Sequence, residues 1–460
     1  MLFRSESFTP QKERNNKLGT FDTQDGTLLD GQGNRWSVNT TTGNLLHVGT
    51  ANLGDTIYKM PHLNFAPRVG FDYRFLNDTA VVRGGYGIYY DQLVVGNGEY
   101  QNYGLGPPYI LIKSYTNQVG DAAATWGNPF PTGVSGGSIS PYGINENLPT
   151  PYRQQWSLGV QKEVIRNLLV EVSYLGSYGS HLPLRYNINQ PTPAPGAIQA
   201  RRPYDLWSTV TWLNDVGTSS YNALTVRAER RFANGFSFLT SLNWAKSLDE
   251  GTTASSGTTP QNPLDLRAEW GPSSYNAQVR YLATFVDELP FGGGRRYFAT
   301  SNPVVRSIIS GWEASAILTL QTGNPFNVTT SKDISNTGAA NRPFQIGDPA
   351  KDAPHSLSEW FNTAAFTNVN PAGAGIYAYG DTHRDNVYGP GFENVDAGVF
   401  RSFRITERLS AQIRAEAFNA LNHPSFSNPA SDANSAATFG VISSTTSTAR
   451  QLQFAAKIRF

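Results

Sequence analysis

The sequence predicts an all-β protein, an antiparallel up-and-down β-barrel of the membrane type, on three observations. Eleven segments of the 460-residue chain alternate apolar and polar side chains. The connections between them are short and long in turn. The last of these segments, "LQFAAKIRF", closes the sequence on an aromatic ring. A strand repeats every two residues, so each such segment has one oily and one polar face.

Composition agrees. Gly (44), Pro (28), Tyr (22), Phe (25) and Trp (9) are plentiful and Met occurs twice, as in strands joined by many turns. A formal net charge of +1 with 15% charged residues provides no basic field for a nucleic acid. With no cysteine, disulfides, thiolate metal sites and a cysteine nucleophile are excluded. No stretch reaches the roughly 18–20 apolar residues of a spanning helix, but a barrel strand crosses with about 9–11 residues and shows lipid only half of them. The opening "MLFRSESFTPQKERNNKLGT" lacks the apolar core and small-residue cleavage site of a secretory signal.

The strands follow in order. In "RVGFDYRF" Val69, Phe71, Tyr73 and Phe75 oppose Arg68, Asp72 and Arg74; in "AVVRGGYGIYY" Val82, Tyr86, Ile88 and Tyr90 oppose Arg83. "QWSLGVQKEV" sets Trp156, Leu158 and Val160 against Gln155, Ser157 and Gln161, and "LLVEVSYLGSY" sets Val170, Val172, Tyr174 and Tyr178 against Glu171, Ser173 and Ser177. "YNALTVRAERRF" sets Leu224, Val226, Ala228 and Phe232 against Thr225, Arg227, Glu229 and Arg231. "GFSFLTSLNW" and "AQVRYLATF" continue with Phe238, Leu242 and Trp244, then Val279, Tyr281 and Phe285, the latter weakened by Leu282 on the polar side. "GWEASAILTL" carries Trp312, Ala314, Ala316 and Leu318 opposite Glu313 and Ser315. "NVDAGVF" is the poorest, and "RLSAQIRAEAF" sets Leu409, Ile413 and Ala415 against Arg414 and Glu416. In the closing strand Leu452, Phe454, Ile458 and Phe460 share a face against Gln453, Lys457 and Arg459.

Residues 76–79, 165–167, 233–235 and 406–408 read as tight turns, with a longer link at 286–311 containing "LPFGGGRR". Long connections fall at 91–152, 179–219, 246–276, 322–393 and 423–449. Structureless loops of this length are uncommon in compact soluble domains, whereas bacterial outer-membrane barrels have short periplasmic turns and long extracellular loops. Counting back from a final descending strand places residues 1–65 as an extracellular loop region before a first descending strand. In lipid an unpaired sheet edge costs several kcal/mol per backbone group, so an odd set of eleven strands is expected to be the C-terminal half of a larger barrel.

The stretches "FAPRVGFDYRF", "VVRGGYGIYYDQ", "PYRQQWSLGVQKEV", "SSYNALTVRAERRFANGFSFLTSLNWAKSLDE", "GWEASAILTLQTGNPF", "RITERLSAQIRAEAFNALNHPSF" and "ARQLQFAAKIRF" resemble the Oar-like barrel of TonB-dependent outer-membrane receptors, the group with a carboxypeptidase-regulatory-like domain. They run in order from about residue 62 to the end. The resemblance implies a barrel of about 22 strands around a plug, in the bacterial outer membrane, taking up a bulky ligand with energy from the TonB complex. It implies that the final strand, through Leu452, Phe454, Ile458 and Phe460, is read by the barrel-insertion machinery. Signal peptide, carboxypeptidase-like domain, TonB box and plug are not among these stretches, so residues 66–460 are expected to be the barrel half.

On this reading Arg83, Glu171, Arg227, Glu229, Arg280, Glu313, Arg414, Glu416 and Arg459 face the barrel interior, pairing with one another or a plug, or lining a substrate path. Lys162 and Arg230 fall on the oily face, but beside a short turn where a long side chain snorkels. Tyr90, Trp156, Tyr178, Phe232, Trp244 and Trp312 lie toward strand ends and suit interfacial aromatic girdles. Asp381, His383 and Asp385 alternate in "GDTHRDN", read as loop polarity in preference to a cation site; Asp249–Glu250 and Asp287–Glu288 read as turn chemistry. P-loop, HExxH and GxGxxG motifs do not occur, and neither an enzyme nor a cofactor is expected. Two alternatives remain: a secreted β-rich carbohydrate-binding protein or enzyme, which would bury the oily face in a core, and a passive porin or adhesin.

Overall fold

In a computed structural model, alternation is realised as one long antiparallel sheet. The structure describes residues 4–460 apart from 11, 13, 41–43, 52–55, 92–105, 111–124, 126, 128–138, 252–259, 293–296, 298–301 and 407. Eleven strands form a meander: β1 (Arg68–Phe75), β2 (Ala80–Tyr90), β3 (Tyr152–Ile165), β4 (Leu168–Asn187), β5 (Thr211–Ala233), β6 (Phe236–Asp249), β7 (Val279–Glu288), β8 (Trp312–Gln321), β9 (Phe392–Arg404), β10 (Ser410–Phe418) and β11 (Gln451–Arg459). Each of β2 to β10 pairs with the strand before it and the strand after it in sequence. Two short strands bring the sheet to 13: Tyr142–Ile144, parallel to β5, and Gly271–Pro272, beside β6. The sheet is open, and among the described residues β1 pairs only with β2 and β11 only with β10.

The hairpins at one end are tight because their residues tolerate the left-handed region: Asn77 and Asp78, Asn167, and Asn234 followed by Gly235 all have positive φ. The opposite end carries all the long connections. There β4 and β5 run further than their alternation indicates, continuing to Asn187 and from Thr211 through two register shifts around Gly179–Pro183. That stretch is read from sequence as loop because a strand no longer half-exposed to one apolar medium loses its two-residue pattern. The link between β7 and β8, read from sequence as a longer connection, holds a short helix, α1 (Pro303–Ile309). Part of its "LPFGGGRR" segment, residues 293–296, lies outside the described residues.

Register carries each face across the sheet, since directly opposed residues share a side. One row runs Tyr73, Val82, Val160, Val172, Val226, Leu242, Tyr281 and Leu320. The next residue along each strand gives the polar row Asp72, Arg83, Gly159, Ser173, Thr225, Asn243, Arg280 and Gln321. Among the described residues the larger side chains of the apolar face stand open: Leu158, Val160, Val172, Leu224, Leu242 and Ile413 are exposed, Trp244 is 63% and Phe454 78% exposed.

The cores lie elsewhere. One joins Leu18, Ile57, Tyr58 and Met60 to Ile144, Leu148 and Leu213; a second joins Phe21 and Leu28 to Ile139, Trp207 and Val210; a third gathers Phe326, Val328, Phe361, Phe366 and Val387. All three sit among the long connections and the segment before β1, where residues 20–50 add a small four-stranded meander. The sheet is thus a wall without a core, and its long-loop end is a folded assembly with several.

Candidate functional site

The long-loop assembly is locked by charges that contribute nothing to strand alternation. Arg342 grips Glu269 with both arms, Nη1 to Oε2 at 2.6 Å and Nη2 to Oε1 at 3.0 Å, while its Nε donates to the Thr382 carbonyl at 2.8 Å. Arg384, whose side chain is 0% exposed, donates to Asp249 and Asp385 and, through Nε, to the Glu269 carbonyl at 2.8 Å. Ser273 donates to Asp249 as well, and its hydroxyl meets Ser247 at 2.9 Å.

Amides complete the clamp. Gln261 accepts from the Arg342 backbone at 3.1 Å and donates to the Gly380 carbonyl at 2.7 Å, and Gln190 donates to the Gln261 carbonyl at 2.6 Å. Three long connections, those after β4, β6 and β8, are joined to one another and to the end of β6. Two buried guanidiniums against three carboxylates form a network in which each charge has a partner, the condition under which buried ions are tolerated. Burial pushes the Asp385 carboxyl up from its ordinary value, and the Arg384 guanidinium beside it pulls the other way. The arrangement fixes the relative position of these connections.

The residues singled out in the sequence are placed as follows. The polar-face charges lie on the sheet's uncovered polar side. Arg83 pairs with Asp72 directly opposite, Nε to Oδ2 2.7 Å; Arg227 pairs with Glu229 two places along at 2.7 Å; and Arg414 reaches Glu416 at 3.8 Å. Glu171 stands opposite Arg227, Arg280 opposite Asn243 and Gln321, Glu313 opposite Glu288 and Phe400, and Arg459 opposite Ser410. Tyr90, Trp156, Tyr178, Trp244 and Trp312 fall in rows of the apolar face, and Phe232 sits in the bulge before the β5–β6 turn. Leu452, Phe454 and Ile458 share that face in β11, and Phe460 is exposed beyond it.

Asp381, His383 and Asp385 are not brought together: Asp381 accepts from the Gln345 amide at 2.7 Å, Asp385 belongs to Arg384, and His383 is exposed. Among the described residues no group of three or more His, Cys, Asp or Glu is placed to hold a metal ion. Asp249, read from sequence as turn chemistry, is a buried partner of Arg384 instead, while Glu250 accepts from Thr218 at 2.8 Å. Sequence reasoning missed Arg342, Arg384 and Glu269 because partners separated by 73 and 135 positions share no spacing signal.

An antiparallel meander with one uncovered apolar face and one polar face, and with its cores in the connections, defines a membrane β-barrel protein. The family comparison agrees: residues 3–453 match the outer membrane beta barrel domain, and the chain belongs to that family. It is a protein of the bacterial outer membrane. No curated protein matches the sequence. Among solved structures the chain is similar to the outer membrane transporter YddB from Escherichia coli, with TM-score 0.48 and 12% identity over 86% of this chain and 41% of that one. It is also similar to the ferripyoverdine receptor of the outer membrane of Pseudomonas aeruginosa, TM-score 0.41, 10% identity, 94% and 35% covered. A third is the siderophore receptor PiuA from Acinetobacter baumannii, TM-score 0.41, 7% identity, 93% and 38% covered. The chain spans less than half the length of each.

Proposed function

We propose that this chain forms the C-terminal half of the barrel of an Oar-like TonB-dependent receptor, which takes up a bulky ligand through a plugged pore and selects it with the long loops. The observation that carries the reading is the division of labour in the fold: a sheet with an uncovered apolar face, and buried cores and ion pairs confined to the connections at one end. A passive wall has no need of Arg342 and Arg384 to hold three connections in register; a recognition surface does.

On this reading β1 and β11 are seams along which further strands complete about 22, because an unpaired edge in hydrocarbon costs several kcal/mol per group. Residues 66–460 are wall and loops, and residues 1–65 an outside loop region. The charges from Arg83 to Arg459 face the interior and meet a plug, and the aromatics from Tyr90 to Trp312 sit at the lipid interfaces. Phe460 and its strand serve the insertion machinery, and the TonB complex supplies energy through the plug. The role is transport, and no catalysis is proposed.

The test is uptake by host cells with and without the gene, with the inner membrane energised or uncoupled, following depletion of solutes from the medium by mass spectrometry. A bulky solute whose uptake stops on deletion and on uncoupling alike supports the reading. Uptake that survives uncoupling assigns a passive porin instead.

A further inference from the structure

The link between β7 and β8 lies at the short-turn end and carries α1. Its seven residues, "PVVRSII", are capped by Asn302, whose side chain accepts from the Val304 and Val305 amides, and Pro303 opens it. At about 100° per residue, Val304, Val305 and Ile308 fall on one side and Arg306 and Ser307 on the other. All three apolar residues are exposed, Val304 at 65% and Ile308 at 61%.

What holds the helix shows which side of the sheet it occupies. The Ile308 carbonyl accepts from Trp312 Nε1 at 2.9 Å and from Arg401 Nη1 at 2.6 Å. Trp312 and Arg401 are directly opposed, and Ile413 is the next in their row, so all three share the apolar face. Arg401 is 8% exposed, its guanidinium stacked 4.3 Å from the Phe403 ring centre. A charge on the oily face is tolerable near the membrane interface, where it costs about 0–1 kcal/mol, and not at the midplane. The helix is therefore pinned beside the apolar face, at the level where that face meets the headgroups.

We propose that α1 is an interfacial anchor, lying in the plane of the phospholipid leaflet on the short-turn side with Val304, Val305 and Ile308 inserted among the lipids. The occupant follows from continuity: the surface on which the helix is pinned runs through Trp312 and Ile413 into the face already assigned to lipid. Arg306, on the opposite side, meets headgroup phosphate. This inference rests on the reading of that face as lipid-facing, and it adds an in-plane element that alternation cannot supply.

The chain has no cysteine, so single thiols can be placed cleanly. The full-length receptor containing this chain, with any cysteine outside it replaced by serine, is reconstituted in phosphatidylethanolamine and phosphatidylglycerol vesicles with an environment-sensitive fluorophore at Val304→Cys, Ile308→Cys, Val160→Cys or Ile376→Cys. Quenching by shallow and deep doxyl lipids is compared with quenching by aqueous iodide. The expected result is shallow-lipid quenching at Val304 and Ile308, with iodide quenching about threefold weaker than at Ile376. Deep quenching at Val160 with iodide quenching at Ile308 as strong as at Ile376 overturns the anchor alone. Protection from iodide without lipid quenching also overturns it and assigns the helix face to a second copy of the chain. A Val160 label that no lipid quencher reaches overturns both the anchor and the barrel reading.

Discussion

Arg342 and Glu269, 73 positions apart, meet as a two-armed ion pair with both side chains almost wholly buried. Removing one partner of such a pair leaves an uncompensated charge, at a cost of about 3–5 kcal/mol. Glu269→Ala is expected to loosen the connections after β6 and β8 without unfolding the sheet. Limited proteolysis of detergent-solubilised protein checks this: new cuts should fall within 260–270 and 330–345, and Glu269→Leu with Arg342→Met should restore much of the resistance.

Val226 stands between Val172 and Leu242 on the uncovered face, while Thr225 donates to Asn243 at 2.9 Å on the other. If that face is solvated by hydrocarbon, Val226→Arg costs roughly 2–4 kcal/mol and Thr225→Arg much less. The readout is the amount of heat-modifiable folded protein in outer membranes. Equal losses from the two substitutions would remove the facing assignment.

Trp156 lies over Gly176, its opposite in the ladder, where an added Cβ would sit 2.2 Å from the indole nitrogen. Gly176→Val is expected to displace the ring and destabilise the β3–β4 pair by about 1–3 kcal/mol, read as a lower temperature of heat modification. Gly196→Val, in open space at φ 97, strains only its own turn and leaves that temperature nearly unchanged.

Acid should loosen the loop after β8. Burial raises the Asp333 carboxyl, but hydrogen bonds from the Gly338 amide, Ser335, the Thr337 amide and Asn341 outweigh it and hold the group below its ordinary value of 3.8. A depressed folded value means that the unfolded loop binds protons more readily, so the stabilisation is present above 3.8 and is lost as pH falls through the folded value. Protection of residues 330–341 against hydrogen exchange, taken relative to the intrinsic exchange rate at each pH, is expected to fall below that range in the native chain. In Asp333→Asn that protection should be lower at neutral pH and should change little in acid.

The strands show how far one-dimensional reasoning reaches. All eleven are legible, because a face solvated by one medium imposes a two-residue repeat that needs no knowledge of neighbours. β9 is the weakest by pattern since Phe400 and Arg401 exchange the expected sides, Arg401 being drawn to the apolar face by Trp312, Phe403 and the Ile308 carbonyl. The clamp was not legible at all: Asp249 looks like a turn residue until Arg384 arrives from 135 positions away.

The sequence by itself determined the strands, which side chains share a face, the alternation of tight and long connections and the outer-membrane setting, since these follow from local chemistry repeated along the chain. Only the tertiary structure decided the extension of β4 and β5, the burial of Arg342 and Arg384, the cores within the loops and the placement of α1 beside the apolar face. Those depend on which distant segments meet, and the free energy of a buried charge or a pinned helix is set by partners that sequence spacing does not encode.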